Sequence, residues 1–117
     1  MKRVLVVVAA AVASALLFTG CSNKKTENFR INATVINGAP GFSVGTITVT
    51  EADKVDIRVD NDTEKDHGFS IDAENVHRVI KPHQPQTVSF TPKKTGEYRI
   101  YCQLHPAHVP AQLIVVG

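Results

Sequence analysis

Hydrophobic positions in this chain alternate with polar ones in short runs, and no stretch carries an apolar helical period of useful length. Phe29, Ile31, Ala33 and Val35 share one face of a predicted strand over 29–36, and Asn37 to Gly41 reads as a turn. Val44, Ile47 and Val49 predict a second strand, broken near Gly45, and Glu51 to Lys54 a polar turn. Val55, Ile57 and Val59 alternate with Asp56, Arg58 and Asp60, the most regular strand pattern in the chain. A charged loop from Asn61 to Asp66 then leads to His67. Short strands follow over 69–72, 78–81 and 87–90, with a loop or single helical turn over 73–76 and breaks at Pro82 and Pro85. Pro92 to Gly96 turns the chain into a strand over 97–102, and Ala111 to Val116 forms the last one. Many short strands separated by turn signals predict an all-β sandwich or barrel.

The first 20 residues stand outside this pattern. Lys2-Arg3 precede an almost unbroken apolar run from Val4 to Phe18, short for a membrane span and of the length of a secretory signal. Phe18-Thr19-Gly20-Cys21 resembles a bacterial lipobox, which implies a signal peptide over 1–20 and a lipid on Cys21. The polar stretch that follows, with Lys24-Lys25, reads as a flexible tether over 21–28. Residues 29–117 are then one folded domain with one core. Without Lys2 and Arg3 the 13 basic residues become 11, equal to the 11 acidic ones, so this domain is near neutral. A neutral domain with no basic patch and no stacking aromatics is not a nucleic-acid binder.

Its chemistry gathers in Cys102-Gln103-Leu104-His105-Pro106-Ala107-His108, between two apolar runs. The chain has two cysteines. With Cys21 committed to lipid, Cys102 has no disulfide partner, and an unpaired thiol in an exported domain calls for a metal or a buried inert role. Two histidines within six residues favour the metal. Pro106 and Pro110 stiffen the loop, and Pro106 biases His105 toward extended backbone. His67, on an earlier loop, is placed to reach the same end of a sandwich, and Gly68 beside it permits close backbone approach. Thiolate plus imidazole suits copper. A Cys/His₃ set also suits tetrahedral zinc, but structural zinc sites usually carry more cysteine and zinc has no redox role. His77 and His83 lie in polar, proline-containing segments and read as solvated side chains. Asp66 and Asp72 read as loop and turn residues, Lys93-Lys94 as solvated turn charge, and Phe69, Phe90, Tyr98 and Tyr101 as packing residues. Glu74 reaches a site only if its loop folds inward.

From His67 to Gly117 the chain resembles the cupredoxins. Gly68-Phe69-Ser70-Ile71-Asp72-Ala73, Val79-Ile80-Lys81 and Tyr101-Cys102-Gln103-Leu104-His105-Pro106 are similar to the red copper proteins of the nitrosocyanin group. The resemblance implies a Greek-key β-sandwich with one mononuclear copper, held by Cys102 and His105. Departures shape the rest of the ligand set. The only methionine is Met1, within the expected signal, so no axial thioether is available. His108 stands three residues after His105, where short-loop cupredoxins place that methionine. Nitrosocyanins carry a second loop histidine on a loop two residues longer, and a glutamate where this chain has His67. The implied ligands are therefore His67, Cys102, His105 and His108. An axial imidazole strengthens the fourth bond, weakens the copper–thiolate bond and favours Cu(II), giving a red or green centre of lowered potential. The implied role is one-electron transfer at the bacterial cell envelope, on its periplasmic or extracytoplasmic face, with a redox partner such as a cytochrome and a lipid anchor in the membrane. Alternatives are a site that binds or converts nitric oxide or an oxygen species, and copper handling. The absence of any methionine after Met1 speaks against a Met-rich Cu(I) carrier.

Overall fold

A computed structural model describes residues 24–117. The expected signal over 1–20 and lipid site at Cys21 lie outside the described residues. Nine strands form: β1 (Thr26–Ile36), β2 (Ala39–Phe42), β3 (Thr46–Thr50), β4 (Lys54–Asn61), β5 (His67–Ile71), β6 (Val76–Ile80), β7 (Gln86–Phe90), β8 (Gly96–Ile100) and β9 (Ala111–Val116). One sheet has the order β2-β1-β4-β7 and another β3-β9-β8, while β5 and β6 form a separate hairpin. β1 runs parallel to β4, and β3 parallel to β9, so the chain crosses between sheets instead of meandering. The expected all-β sandwich is what forms.

The core comes from the alternation read in the sequence. Val55, Ile57 and Val59 of β4 are fully buried, and they meet Ile31, Ile47, Val49, Leu113 and Val115 from both sheets. The period of two places every second β4 residue inside. Asp60, on the opposite face, is held by Arg30 at 2.8 Å and Arg58 at 3.2 Å.

Several boundaries differ from the sequence reading, among them the strand expected over 97–102, which ends at Ile100 and leaves Cys102 in the loop, and three more bear on the sheet and the site. Residues 26–28, assigned to the flexible tether, are already part of β1, with Thr26 opposite Lys54. Backbone pairing extends past the apolar positions here, fixed by Lys25 N–H donating to Asp53 Oδ1 at 3.1 Å and Lys54 N–H to Lys25 O at 2.9 Å. The turn over 37–41 contracts to Asn37-Gly38. Both have positive φ, 51° and 82°, as a two-residue hairpin turn requires, and Ala39 to Phe42 return as an edge strand that tolerates Pro40. His67, read as a loop residue, opens β5 opposite Ile80.

Two devices carry this fold to its functional end. Asn61 is buried at the end of β4, and its Nδ2 donates to Lys65 O at 2.7 Å and Ile80 O at 2.9 Å. Its Oδ1 accepts from Thr63 N at 2.9 Å and Thr63 Oγ1 at 2.8 Å, so one side chain shapes the loop before His67 and grips the strand opposite it. Beyond β8, an isolated bridge joins Tyr101 to Ser70, with Ser70 N–H to Tyr101 O at 2.8 Å and Tyr101 N–H to Ser70 O at 3.0 Å. That bridge ties the β5–β6 hairpin to the residue immediately before Cys102.

Candidate metal centre

The loop from Cys102 to Pro110 is pinned at several points. The Ser70–Tyr101 bridge holds its start. His108 N–H donates to His105 O at 3.0 Å, closing a tight turn through Pro106, and Val109 N–H donates to Pro40 O of the edge strand at 2.9 Å. These ties bring together side chains 35 and 41 positions apart in sequence.

Cys102 is a free, buried thiol. Its Sγ lies 3.5 Å from His105 Nδ1 and 4.0 Å from His67 Nδ1. The ligand atoms of His67, Cys102 and His105 all stand within 4.8 Å of one another. Donors bonded to one metal at about 2.0–2.3 Å stand at about such separations from each other, so the three residues fit a single ion. The Gly68 N–H donates to Cys102 Sγ at 3.1 Å. Two borderline nitrogens and one soft sulfur, buried on one side, form a donor set suited to copper.

His108 lies beside this group but outside the 4.8 Å set. Its ring packs 5.1 Å from that of His67 and 4.4 Å from that of Phe42, centroid to centroid. Its Nδ1 stands 3.2 Å from Val109 O. A carbonyl only accepts, so Nδ1 carries the proton and Nε2 is left with a lone pair. That Nε2 is buried and has no hydrogen-bond partner. Buried polar atoms are normally satisfied, so an unpartnered acceptor next to a Cys/His₂ group is free to serve an ion held there.

The other candidates fall elsewhere. His83 pairs with Glu64 at 2.9 Å, and His77 sits at the surface, 3.8 Å from Asp72. Tyr101 points away from the metal side, its hydroxyl donating to Asp72 Oδ1 at 2.7 Å and its ring lying 5.1 Å below the Arg99 guanidinium. Glu74 belongs to the single helical turn over 72–74 and to a shallow hollow with Phe90 and Lys93, away from the cysteine. Sequence reasoning missed Phe42, Ser70 and Gln103 as neighbours of the site. They come from the opposite sheet, from β5 and from a position between two candidate ligands, and none belongs to a ligand type.

Burial holds the His67 imidazole below its ordinary pKa, with His108, His105 and Lys65 adding to the effect. Burial likewise lowers His108, opposed by the Val109 carbonyl and aided by His105. Both rings are thus held neutral and ready to ligate without displacing protons. The metal-free fold follows a definite pH dependence. Below the unfolded value of 6.5 the unfolded chain takes up protons that the folded chain does not. Stability is therefore unaffected above that pH and falls below it, by up to about 1.4 kcal/mol per pH unit for each ring until that ring protonates in the fold. Urea unfolding of metal-free protein at pH 7.5, 6 and 5 measures this, and His108→Phe should give a shallower fall.

Residues 7–115 match the family described as the cupredoxin-like domain. The curated nitrous-oxide reductase of Cupriavidus necator is 26% identical over 76 residues, covering 62% of this chain but 12% of that protein. A copper nitrite reductase from Nitrosomonas europaea superposes with a TM-score of 0.67 at 20% identity, over 77% of this chain and 41% of that one. Auracyanin A, a "blue" copper protein of Chloroflexus aurantiacus, superposes with a TM-score of 0.63 at 14% identity, over 78% of this chain and 99% of that one. The chain thus spans less than half of either reductase but nearly the whole of auracyanin A. At these identities the superpositions establish a shared fold.

Proposed function

The chain belongs to the cupredoxin-like family, and on that premise we propose that it is a mononuclear copper protein carrying single electrons at the bacterial cell envelope. The observation that carries the reading is the buried sulfur of Cys102 with two imidazole nitrogens at 3.5 and 4.0 Å. Cys102, His67 and His105 would hold the ion, with His108 Nε2 as the fourth ligand. Bound there, copper would supply a one-electron Cu(II)/Cu(I) couple. The chain's part is to keep the ligand positions fixed. The Ser70–Tyr101 bridge, the turn from His105 to His108 and the Val109–Pro40 bond anchor the loop at both ends, which limits its rearrangement between oxidation states.

His105 is the most exposed of the four candidate ligands, and Leu104 and Val109, exposed by 42% and 54%, lie on the same loop. Val109 and Ile36 both approach Gly41, so the apolar surface continues onto the first hairpin. That surface suits a redox partner such as a cytochrome. Envelope placement rests on the leader-like residues 1–20 and on Cys21 as the site of a lipid. No helix among the described residues is long and apolar enough to cross a membrane.

The test is reversible reduction and reoxidation of the copper-loaded protein, by voltammetry and by stopped-flow mixing with a soluble c-type cytochrome. A centre that cannot be cycled overturns the proposal. His108 provides a sharper expectation. With His108 as a fourth, imidazole ligand the copper-loaded protein would be red or green with a low potential, whereas His108→Met should gain the strong low-energy band of blue sites and a higher potential. Identical spectra for the two proteins would remove His108 from the ligand set. A second reading, a copper site acting on a small molecule, is favoured by the place of His108 outside the tight three-residue group. Azide that alters the Cu(II) resonance spectrum supports that reading over pure electron transfer.

A further inference from the structure

Gln103 follows Cys102 directly, yet its side chain turns back across the β5–β6 hairpin. Its Oε1 accepts from Ser70 Oγ at 2.7 Å, and its Nε2 donates to Arg78 O at 2.9 Å. Stretched between those anchors, the carboxamide lies directly over Gly68. A Cβ built on Gly68 would collide with it and would stand 2.8 Å from the Gln103 backbone nitrogen. Glycine is therefore required at 68 by what lies over it: its φ is not in the left-handed region. The same Gly68 supplies the N–H that reaches Cys102 Sγ at 3.1 Å.

Cys102 is thus bracketed. On one side Tyr101 is bonded to the Ser70 backbone, and on the other Gln103 is bonded to the Ser70 side chain. We propose that Gln103 is a positioning residue, a latch across Gly68 that sets the Gly68 N–H on the Cys102 sulfur and so tunes that sulfur as a copper ligand. The copper part of this inference rests on the function proposed above, while the latch itself belongs to the metal-free chain. A hydrogen bond to a thiolate draws electron density from sulfur, weakens its donation to the metal and favours the reduced state. Releasing the latch should do the reverse.

The experiment compares the wild type with Gln103→Ala and Ser70→Ala, in metal-free and copper-loaded form. In metal-free Gln103→Ala, hydrogen exchange at the Gly68 amide should accelerate by about tenfold, the loss of roughly one hydrogen bond, with the Ile57 amide of β4 unchanged. Ser70→Ala, which removes one of the two anchors, should give a smaller acceleration. In the copper-loaded variant the sulfur-to-copper absorption should shift, and the Cu(II)/Cu(I) preference should move about tenfold toward Cu(II), a fall of ~59 mV for one electron. Unchanged Gly68 exchange in Gln103→Ala overturns the proposal, whatever the spectrum does, because Gln103 would then not act through Gly68. Equal acceleration at Gly68 and Ile57 overturns it as well, since that signals general loosening. Faster exchange at Gly68 with an unmoved spectrum and potential overturns the tuning. Failure of the wild type to take up copper defeats the copper reading alone, and the exchange result still decides the latch.

Discussion

Cys102→Ser is expected to abolish the strong visible absorption of the copper-loaded protein and its reversible one-electron cycling, while leaving the fold in place. The argument lies in how little of the scaffold depends on sulfur. Cys102 stands on the loop side of the Ser70–Tyr101 bridge, outside the main apolar cluster, and its one close backbone contact is the Gly68 N–H. A serine hydroxyl accepts that N–H equally well, so the cost to stability should be about 1 kcal/mol. The cost to the site is of another kind. Serine stays protonated at neutral pH and offers a hard oxygen where a soft, electron-rich thiolate stood, and the charge-transfer band belongs to the thiolate. Absorption and resonance spectra together with thermal unfolding of one sample check both halves. A surviving band would mean that Cys102 is not a ligand.

The second large effect is on stability and comes from a residue that touches no ligand. Asn61→Ala should destabilise the metal-free domain by about 3 kcal/mol and lower its Tm by roughly 15 °C. The side chain makes four hydrogen bonds at 2.7–2.9 Å while only 1% exposed. Its removal takes one donor each from Ile80 O and Lys65 O and the shared acceptor from Thr63 N and Thr63 Oγ1, in a site too enclosed for easy hydration. Both ends of the damage bear on His67. Residues 61–66 lead into it, and Ile80 is its partner across the hairpin. The variant should therefore also bind copper more weakly, by a larger factor than an equally destabilising change remote from the loop such as Val49→Ala. Thermal unfolding and copper titration of the two variants separate the effects.

The contrast between these two residues explains how much was legible in sequence. Cys102, His105 and His67 announce themselves because ligand chemistry admits few residue types, and the alternation of Val55, Ile57 and Val59 announces the core because a pleated strand has a period of two. Asn61 reads as one more polar loop residue. Its role depends on Ile80 and Lys65 arriving from elsewhere, and no local pattern encodes that. Gln103 is hidden for the same reason, since its partners at 70 and 78 lie on a hairpin 25 or more residues earlier. The apolar pattern places the start of β1 three residues late because Thr26, Glu27 and Asn28 pair by backbone alone and carry no apolar signature. His108 is intermediate: spacing marked it as a ligand candidate, but only the fold exposes its unpartnered nitrogen, tucked against Phe42.

The parallel pairing of β1 with β4 also fixes a direction. Thr26 lies opposite Lys54, whereas the far end of β1 reaches Asn61 and then the hairpin that meets Val109. The 11 residues of β1 thus separate the chain's entry into the sheet from the histidine loop by about 36 Å at ~3.3 Å per residue. Were Cys21 to carry a lipid, as proposed, only residues 22–25 would lie between that mooring and β1, and the histidine end would be the end of the domain farther from it. Electrons would then leave on the side facing away from the lipid, toward a diffusing carrier or the raised head of a neighbouring complex, and not along the plane of the bilayer.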